Sequence, residues 1–281
     1  GKMHAGTADD EDAFNVLFQR MTRSRKNAAN LQLLRDRLLS HRIRIGVEFL
    51  ENAGIEIPGE VRFAATNVRT RLLRGGMRAF TPFDLTPDNV IQTGNSFHFL
   101  DYEWAGFRDV TFDVAFVVAR FPVFLAAQPF NAEATEAFID AWVSEVRGIW
   151  PSVEHPDTLQ ARITAGLIGW AMSSVAMLDP VGPADLLEHD TKLKEDFEAA
   201  GLDVTDLGPF EASGETEEHP ADHAGDVLRP YSKGPFTADE ALVRRDLRET
   251  FESLAAFAGA GKDPAYRTIS HFAQTLAERL R

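Results

Sequence analysis

Apolar residues recur at helical spacing along most of this chain, and one central stretch breaks the pattern. Phe14, Val16, Leu17 and Met21 form one apolar stripe, and Leu31, Leu34 and Leu38 open another that continues through Ile45 and Phe49. Residues 8–74 are therefore expected to be helical, with Gly54 and Pro58 as punctuation and Gly75-Gly76 ending a helix over 60–73. From Met77 the apolar runs shorten to 78–81, 90–92 and 97–100, separated by Pro, Asn, Gly and Ser, which is the chemistry of strands and turns. Helical spacing returns near Phe112 and predicts helices over 110–120, 131–148, 157–178, 183–199, 237–258 and 264–280. Thr237-Ala238-Asp239-Glu240 has the form of a capping box, and residues 200–236 read as a long loop. The uncharged run from Ile163 to Leu178 is too short to span a bilayer and predicts a buried helix. The expected fold is mainly α with a small β-hairpin element, an α+β unit over 1–281. Within it lie a strand-and-turn segment (77–122), an acidic insertion (185–236) and a C-terminal helical pair (237–280).

Charge and composition narrow the function. Of the 281 residues, 29 are Lys or Arg and 43 are Asp or Glu, a net charge of −14, which argues against a nucleic-acid partner. Between Asp185 and Asp226 there are 14 acids against Lys192 and Lys194, so this segment carries nearly all of the imbalance. It reads as a solvated insertion or as an acidic wall for a cationic substrate. Cysteine is absent, which removes disulfides, thiolate metal sites and Cys nucleophiles, and fits a reducing, cytoplasmic setting. No membrane partner is expected. The start at Gly1-Lys2-Met3-His4 suggests a fragment or a processed chain.

The residues with chemical potential lie between Thr81 and Asp113. Residues 90–92 and 97–100 are set to pair around a three-residue turn, Gly94-Asn95-Ser96. In that register Gln92 faces His98, Val90 faces Leu100 and Asn89 faces Asp101, so an amide oxygen and a carboxylate sit side by side at the open end. Few, hard oxygen ligands of this kind suit Mg²⁺ that keeps water and phosphate oxygens. Asp84, on a loop stiffened by Pro87, is placed to orient a hydroxyl nucleophile and take its proton. Other motifs are weaker. Gly259-Ala260-Gly261-Lys262 lacks the spacing of a phosphate loop and reads as a helix-helix turn, and His219 and His223 flank Pro220 in a solvated turn.

The run Phe83-Asp84-Leu85-Thr86-Pro87-Asp88-Asn89-Val90 resembles the catalytic loop H-G-D-L-x-x-x-N of the aminoglycoside phosphotransferase and choline kinase group, whose fold is protein-kinase-like. Phe99-Leu100-Asp101-Tyr102-Glu103 resembles that group's second metal motif, I-D-[WFY]-E. The resemblance implies Asp84 as catalytic base, Asn89 and Asp101 as magnesium and cofactor ligands, and Glu103 as a weaker metal acid. It implies Asp113 as a structural residue that braces the catalytic loop through backbone hydrogen bonds. Lys2-Met3-His4-Ala5 resembles the helix after the hinge of these enzymes. Pro82-Phe83 replaces the family's His-Gly, and no glycine-rich loop or strand lysine precedes Asp84. The chain is thus expected to be the C-terminal lobe of such a fold, without its N-terminal β lobe.

Two functions follow as expectations. One is an ATP- and Mg²⁺-dependent phosphotransferase acting on a hydroxyl of a small, cationic molecule, active in the intact protein and inactive in this chain alone. The other is a non-catalytic helical binding module that lacks an ATP lobe. The surface left by the missing lobe is expected to favour self-association.

Overall fold

A computed structural model describes residues 1–21, 28–102, 104–122, 131–178, 191–200 and 227–281. Four helices come first: α1 (Lys2–Thr7), α2 (Glu11–Met21), α3 (Ala28–Asn52) and α4 (Gly59–Leu73). Four short strands follow: β1 (Arg78–Thr81), β2 (Val90–Thr93), β3 (Ser96–Phe99) and β4 (Gly106–Asp109). The remainder is helical: α5 (Thr111–Val118), α6 (Ala132–Val146), α7 (Pro156–Ala176), α8 (Thr191–Ala200), α9 (Ala238–Gly259) and α10 (Pro264–Arg279). The molecule is mainly helical with a small antiparallel β element, as the periodicity predicts. Among the described residues no helix is long and apolar enough to cross a membrane.

The core is built around α7. Every residue from Ile163 to Ala176 is buried, and the helix packs against α3, α4, α5 and α9. An element surrounded on all sides has no polar stripe, which explains the uncharged run. Small residues let its neighbours approach. A Cβ on Gly46 of α3 would lie 1.9 Å from the carbonyl oxygen of Met172, and one on Gly166 would lie 2.6 Å from the Ala115 side chain of α5. Trp170 stacks on Phe112 at 4.4 Å between centroids, and its indole N–H donates to the Phe112 carbonyl at 2.9 Å.

Helix ends follow the chemistry written in the sequence. Thr237 accepts from the Glu240 N–H at 3.1 Å while Glu240 accepts from the Thr237 N–H at 2.7 Å, a complete capping box. Gly259–Asp263 is the helix-helix turn expected, with Asp263 accepting from the Ala265 N–H at 2.8 Å as the N-cap of α10.

The stripe read on α2 needs correction. Phe14 turns inward, its ring 5.6 Å from Phe80 and 5.3 Å from Phe107, whereas Val16 and Leu17 are 65% and 57% exposed. Phe14 and Phe18, one turn apart, stack at 5.5 Å and form the inner face, so residues between them point away. Of the helix expected over 183–199, residues 191–200 are helical and 183–190 lie outside the described residues. Most of the acidic insertion, with His219 and His223, also lies outside them.

Gly46→Ala should lower stability by about 3 kcal/mol, because its methyl group meets backbone that cannot yield without moving α7. Gly6→Ala, in open space on α1, should be neutral or stabilising by up to about 1 kcal/mol. Denaturant unfolding of the two variants measures the difference. A second expectation concerns acid. The Arg229 guanidinium and then the helix-start bonds hold the Glu240 carboxyl at about 2, below its ordinary 4.5. The stability this adds is complete above pH 4.5 and is lost as pH falls towards 2. In unfolding measured against pH, Glu240→Gln should be less stable than the parent at neutral pH and show a shallower decline over that window.

Candidate functional site

The candidate residues are positioned by β4, a strand the periodicity did not reveal. It pairs antiparallel with β1, Arg78 facing Asp109 and Thr81 facing Gly106. All four of its residues are buried, two of them charged, so it shows neither alternation nor an apolar run. Arg108 pairs with Asp36 of α3 and donates to the Trp104 carbonyl at 2.6 Å. Burial pushes the Asp36 carboxyl up from its usual range, and Arg108 opposes that shift. Asp109 accepts from Arg71 of α4 at 3.1 Å and from Arg162 of α7 at 3.4 Å, and it also accepts from the Thr111 N–H, the first of α5, at 3.0 Å.

Beyond β1 the chain reaches Asp84 through Phe83, whose φ is +74°. A non-glycine residue holds such backbone only where its surroundings over-determine it. Here the Phe83 ring packs against Trp104 (5.9 Å), Phe112 (6.3 Å) and Trp170 (5.2 Å), with the Arg108 guanidinium 5.0 Å from its centre. Phe83 stands where the resembling loop has glycine, so the backbone shape that glycine adopts freely is imposed here by ring packing. The Phe-for-Gly exchange marks Phe83 in the sequence, whereas Arg108 carries no local signal of its role.

Asp84 is half-buried. Its Oδ1 accepts from the Thr86 N–H at 3.1 Å and the Thr86 hydroxyl at 2.8 Å, and among the described residues its Oδ2 has no hydrogen-bond partner. One oxygen is therefore fixed and the other is available to a ligand hydroxyl. Pro87–Asn89 then forms a 3₁₀ turn that leads into β2.

The hairpin register differs by one residue from that expected. Val90 faces Phe99, Ile91 faces His98, Gln92 faces Phe97 and Thr93 faces Ser96. The turn holds two residues rather than three, with Gly94 (φ +58°) at the first position, where a type II′ turn needs glycine. Asn89 consequently opposes Leu100 rather than Asp101, and its carbonyl accepts from the Leu100 N–H at 2.8 Å. Asp101 follows at φ +53°, where the chain leaves the ladder. Asn89 and Asp101 thus remain neighbours at the open end of the hairpin without being directly opposed. Asp101 is exposed and Asn89 half-buried, while Glu103 lies outside the described residues.

Asp113 is buried on α5, and its hydrogen bond goes to His4 Nε2 at 3.4 Å. No bond joins it to residues 81–89 among the described residues, so its observed role differs from the loop brace implied by the resemblance. His4 Nδ1 accepts from the Trp142 indole N–H at 3.0 Å. An indole nitrogen can only donate, which assigns the imidazole proton to Nε2 and makes Asp113 its acceptor. Asp113 therefore anchors α1 against α5 and α6.

Among the described residues no three His, Cys, Asp or Glu side chains gather into a metal-binding group. Asp101 contributes a carboxylate and Asn89 an amide oxygen to this end of the hairpin, hard donors of the type that Mg²⁺ takes. The hairpin end is an open face. Clefts of about 300 Å³ between α9 and α10 and about 250 Å³ between α3 and α4 both lie away from it.

Arg108→Met should cost about 3–5 kcal/mol in denaturant unfolding, because it strands Asp36 as a buried, unpaired carboxylate. Pairing it with Asp36→Leu should recover most of the loss. No protein-family model matches the chain, and no similar protein is found among curated ones.

Proposed function

We propose that this chain is the catalytic lobe of an ATP- and Mg²⁺-dependent phosphotransferase acting on a hydroxyl of a small molecule. The observation that carries the reading is the join at the open end of the hairpin. The hydrogen bond from the Leu100 N–H to the Asn89 carbonyl keeps the backbone at Asn89 next to that leading into Asp101, one short turn from Asp84. Two of the places involved have left-handed backbone without glycine, at Phe83 and Asp101, a cost of about 1–3 kcal/mol each that concentrates at working sites.

In this reading the free Oδ2 of Asp84 accepts a hydrogen bond from the substrate hydroxyl. As the hydroxyl oxygen bonds to the γ-phosphorus, its proton passes to Asp84 and the bond to the β,γ-bridging oxygen breaks, releasing ADP. Thr86 fixes the carboxylate plane through Oδ1, so little reorganisation is needed at that moment. Asn89 and Asp101 would hold the Mg²⁺, which would offset the negative charge of the phosphates. The acidic insertion favours a cationic substrate.

The test is acceptor-dependent ADP release by the full-length protein, given MgATP and a panel of aminoglycosides, choline and amino alcohols. Asp84→Ala should lower turnover about 10²–10⁴-fold while leaving MgATP affinity nearly unchanged. Asp101→Asn should weaken divalent-metal binding more than Asn89→Ala does, because a carboxylate supplies charge and an amide only a dipole. Turnover indifferent to Asp84→Ala, or no acceptor-dependent release at all, would sink the enzymatic reading.

A further inference from the structure

The cleft between α3 and α4 has a charge pattern that the rest of the chain does not lead one to expect. Its volume is about 250 Å³, and Arg44, Arg62 and Arg69 line it together with Glu48, Glu51 and Thr66. Two of the arginines are matched: Arg44 bonds Glu48 at 2.6 Å, and Arg62 pairs with Glu51. Arg69 is not. Its Nε donates to the Ser40 hydroxyl at 3.2 Å, and among the described residues it makes no ion pair. Three arginines against two glutamates leave one positive charge in the cleft of a chain whose net charge is −14. A shortage of carboxylates therefore does not explain the unmatched guanidinium. Burial, reinforced by the like charge of Arg44, pulls Arg69 below its usual range, and the carboxylate of Glu48 only partly opposes that shift.

The surroundings are suited to an oxyanion. The walls come from two packed helices, α3 and α4, which between them carry seven arginines and four acids. Guanidinium forks approach the cleft from both walls, Arg44 from α3 and Arg62 and Arg69 from α4. Planar donors from several directions match a tetrahedral phosphoryl group, which offers acceptor oxygens on all sides. Thr66 is exposed at the rim and adds a neutral donor. Ile43, Val47 and Ala65 supply an apolar floor, which lowers the local dielectric and strengthens the charged contacts.

We propose that the α3/α4 cleft is a binding site for a small phosphate-bearing anion, with Arg69 as its principal cation. The site is independent of the phosphotransfer reading, since it shares no residue with Asp84, Asn89 or Asp101. An anion held there bridges α3 and α4 and stabilises the folded chain by mass action.

Isothermal titration with inorganic phosphate, at constant ionic strength and without magnesium or nucleotide, tests the proposal. Saturable binding is expected with Kd of about 1 mM, accompanied by a rise in Tm with phosphate. Arg69→Gln should weaken binding by at least about tenfold. Thr66→Asp keeps every arginine, supplies a carboxylate at the rim and should also abolish phosphate binding, which covers the case in which Arg69→Gln fails to fold. Asp101→Asn should leave phosphate affinity unchanged. The proposal is overturned if no saturable binding is seen, or if both cleft variants bind phosphate like the parent. It is also overturned if Asp101→Asn alone changes the affinity, which would place the anion at the hairpin.

Discussion

Two adjacent charges on one buried strand hold this molecule together. Arg108 and Asp109 of β4 project to opposite faces, as neighbouring strand residues must, and each meets its countercharge on a different helix. Arg108 reaches Asp36 on α3, and Asp109 reaches Arg71 on α4 and Arg162 on α7. Buried charges left unmatched would cost more than a small strand could return, so the three helices are fixed in position relative to β4. Because β1 pairs with β4, the point at which the chain leaves β1 towards Asp84 is fixed as well.

The same arrangement shapes the loop. Arg108 donates to the Trp104 carbonyl and lies over the Phe83 ring, so one guanidinium contacts both sides of the segment that leads to Asp84. Phe83 in turn joins the Phe112–Trp170 stack at the centre of the core. The unfavourable backbone at Phe83 is thus offset by aromatic packing rather than avoided by glycine. The loop is packed where it joins the core and open where Asp84 presents its second oxygen, a division suited to positioning a ligand group.

How far the sequence could be read depended on whether one local rule governed each segment. Helices α4, α6, α7, α9 and α10 were legible because period, caps and breakers agreed, and Thr237 with Glu240 formed the box that their spacing announced. Strand β4 was not legible, since its residue types are dictated by long-range pairing with Asp36, Arg71 and Arg162 and follow no local period. The hairpin was recognised but its register slipped, because Gly94-Asn95-Ser96 suits a two-residue or a three-residue turn about equally well by composition. That slip moved Asn89 from facing Asp101 to facing Leu100. Val16 and Leu17 looked like core by hydrophobicity, yet α2 has a single inner face and Phe14 and Phe18 fill it. The link from His4 to Asp113 spans 109 residues, a distance over which no spacing rule operates.

The countercharges around β4 also impose an order on assembly. Asp36 lies 72 residues before Arg108, and Arg71 lies 38 before Asp109, so both partners have already been synthesised when the strand is made. Arg162 comes 53 residues after Asp109, at the head of the helix that fills the centre. Until α7 has been synthesised, the Asp109 carboxylate has one of its two arginines, and the faces of α3, α4 and α5 that α7 covers are exposed. Completion waits for the late helix, which makes the first half of the protein dependent on protection during translation.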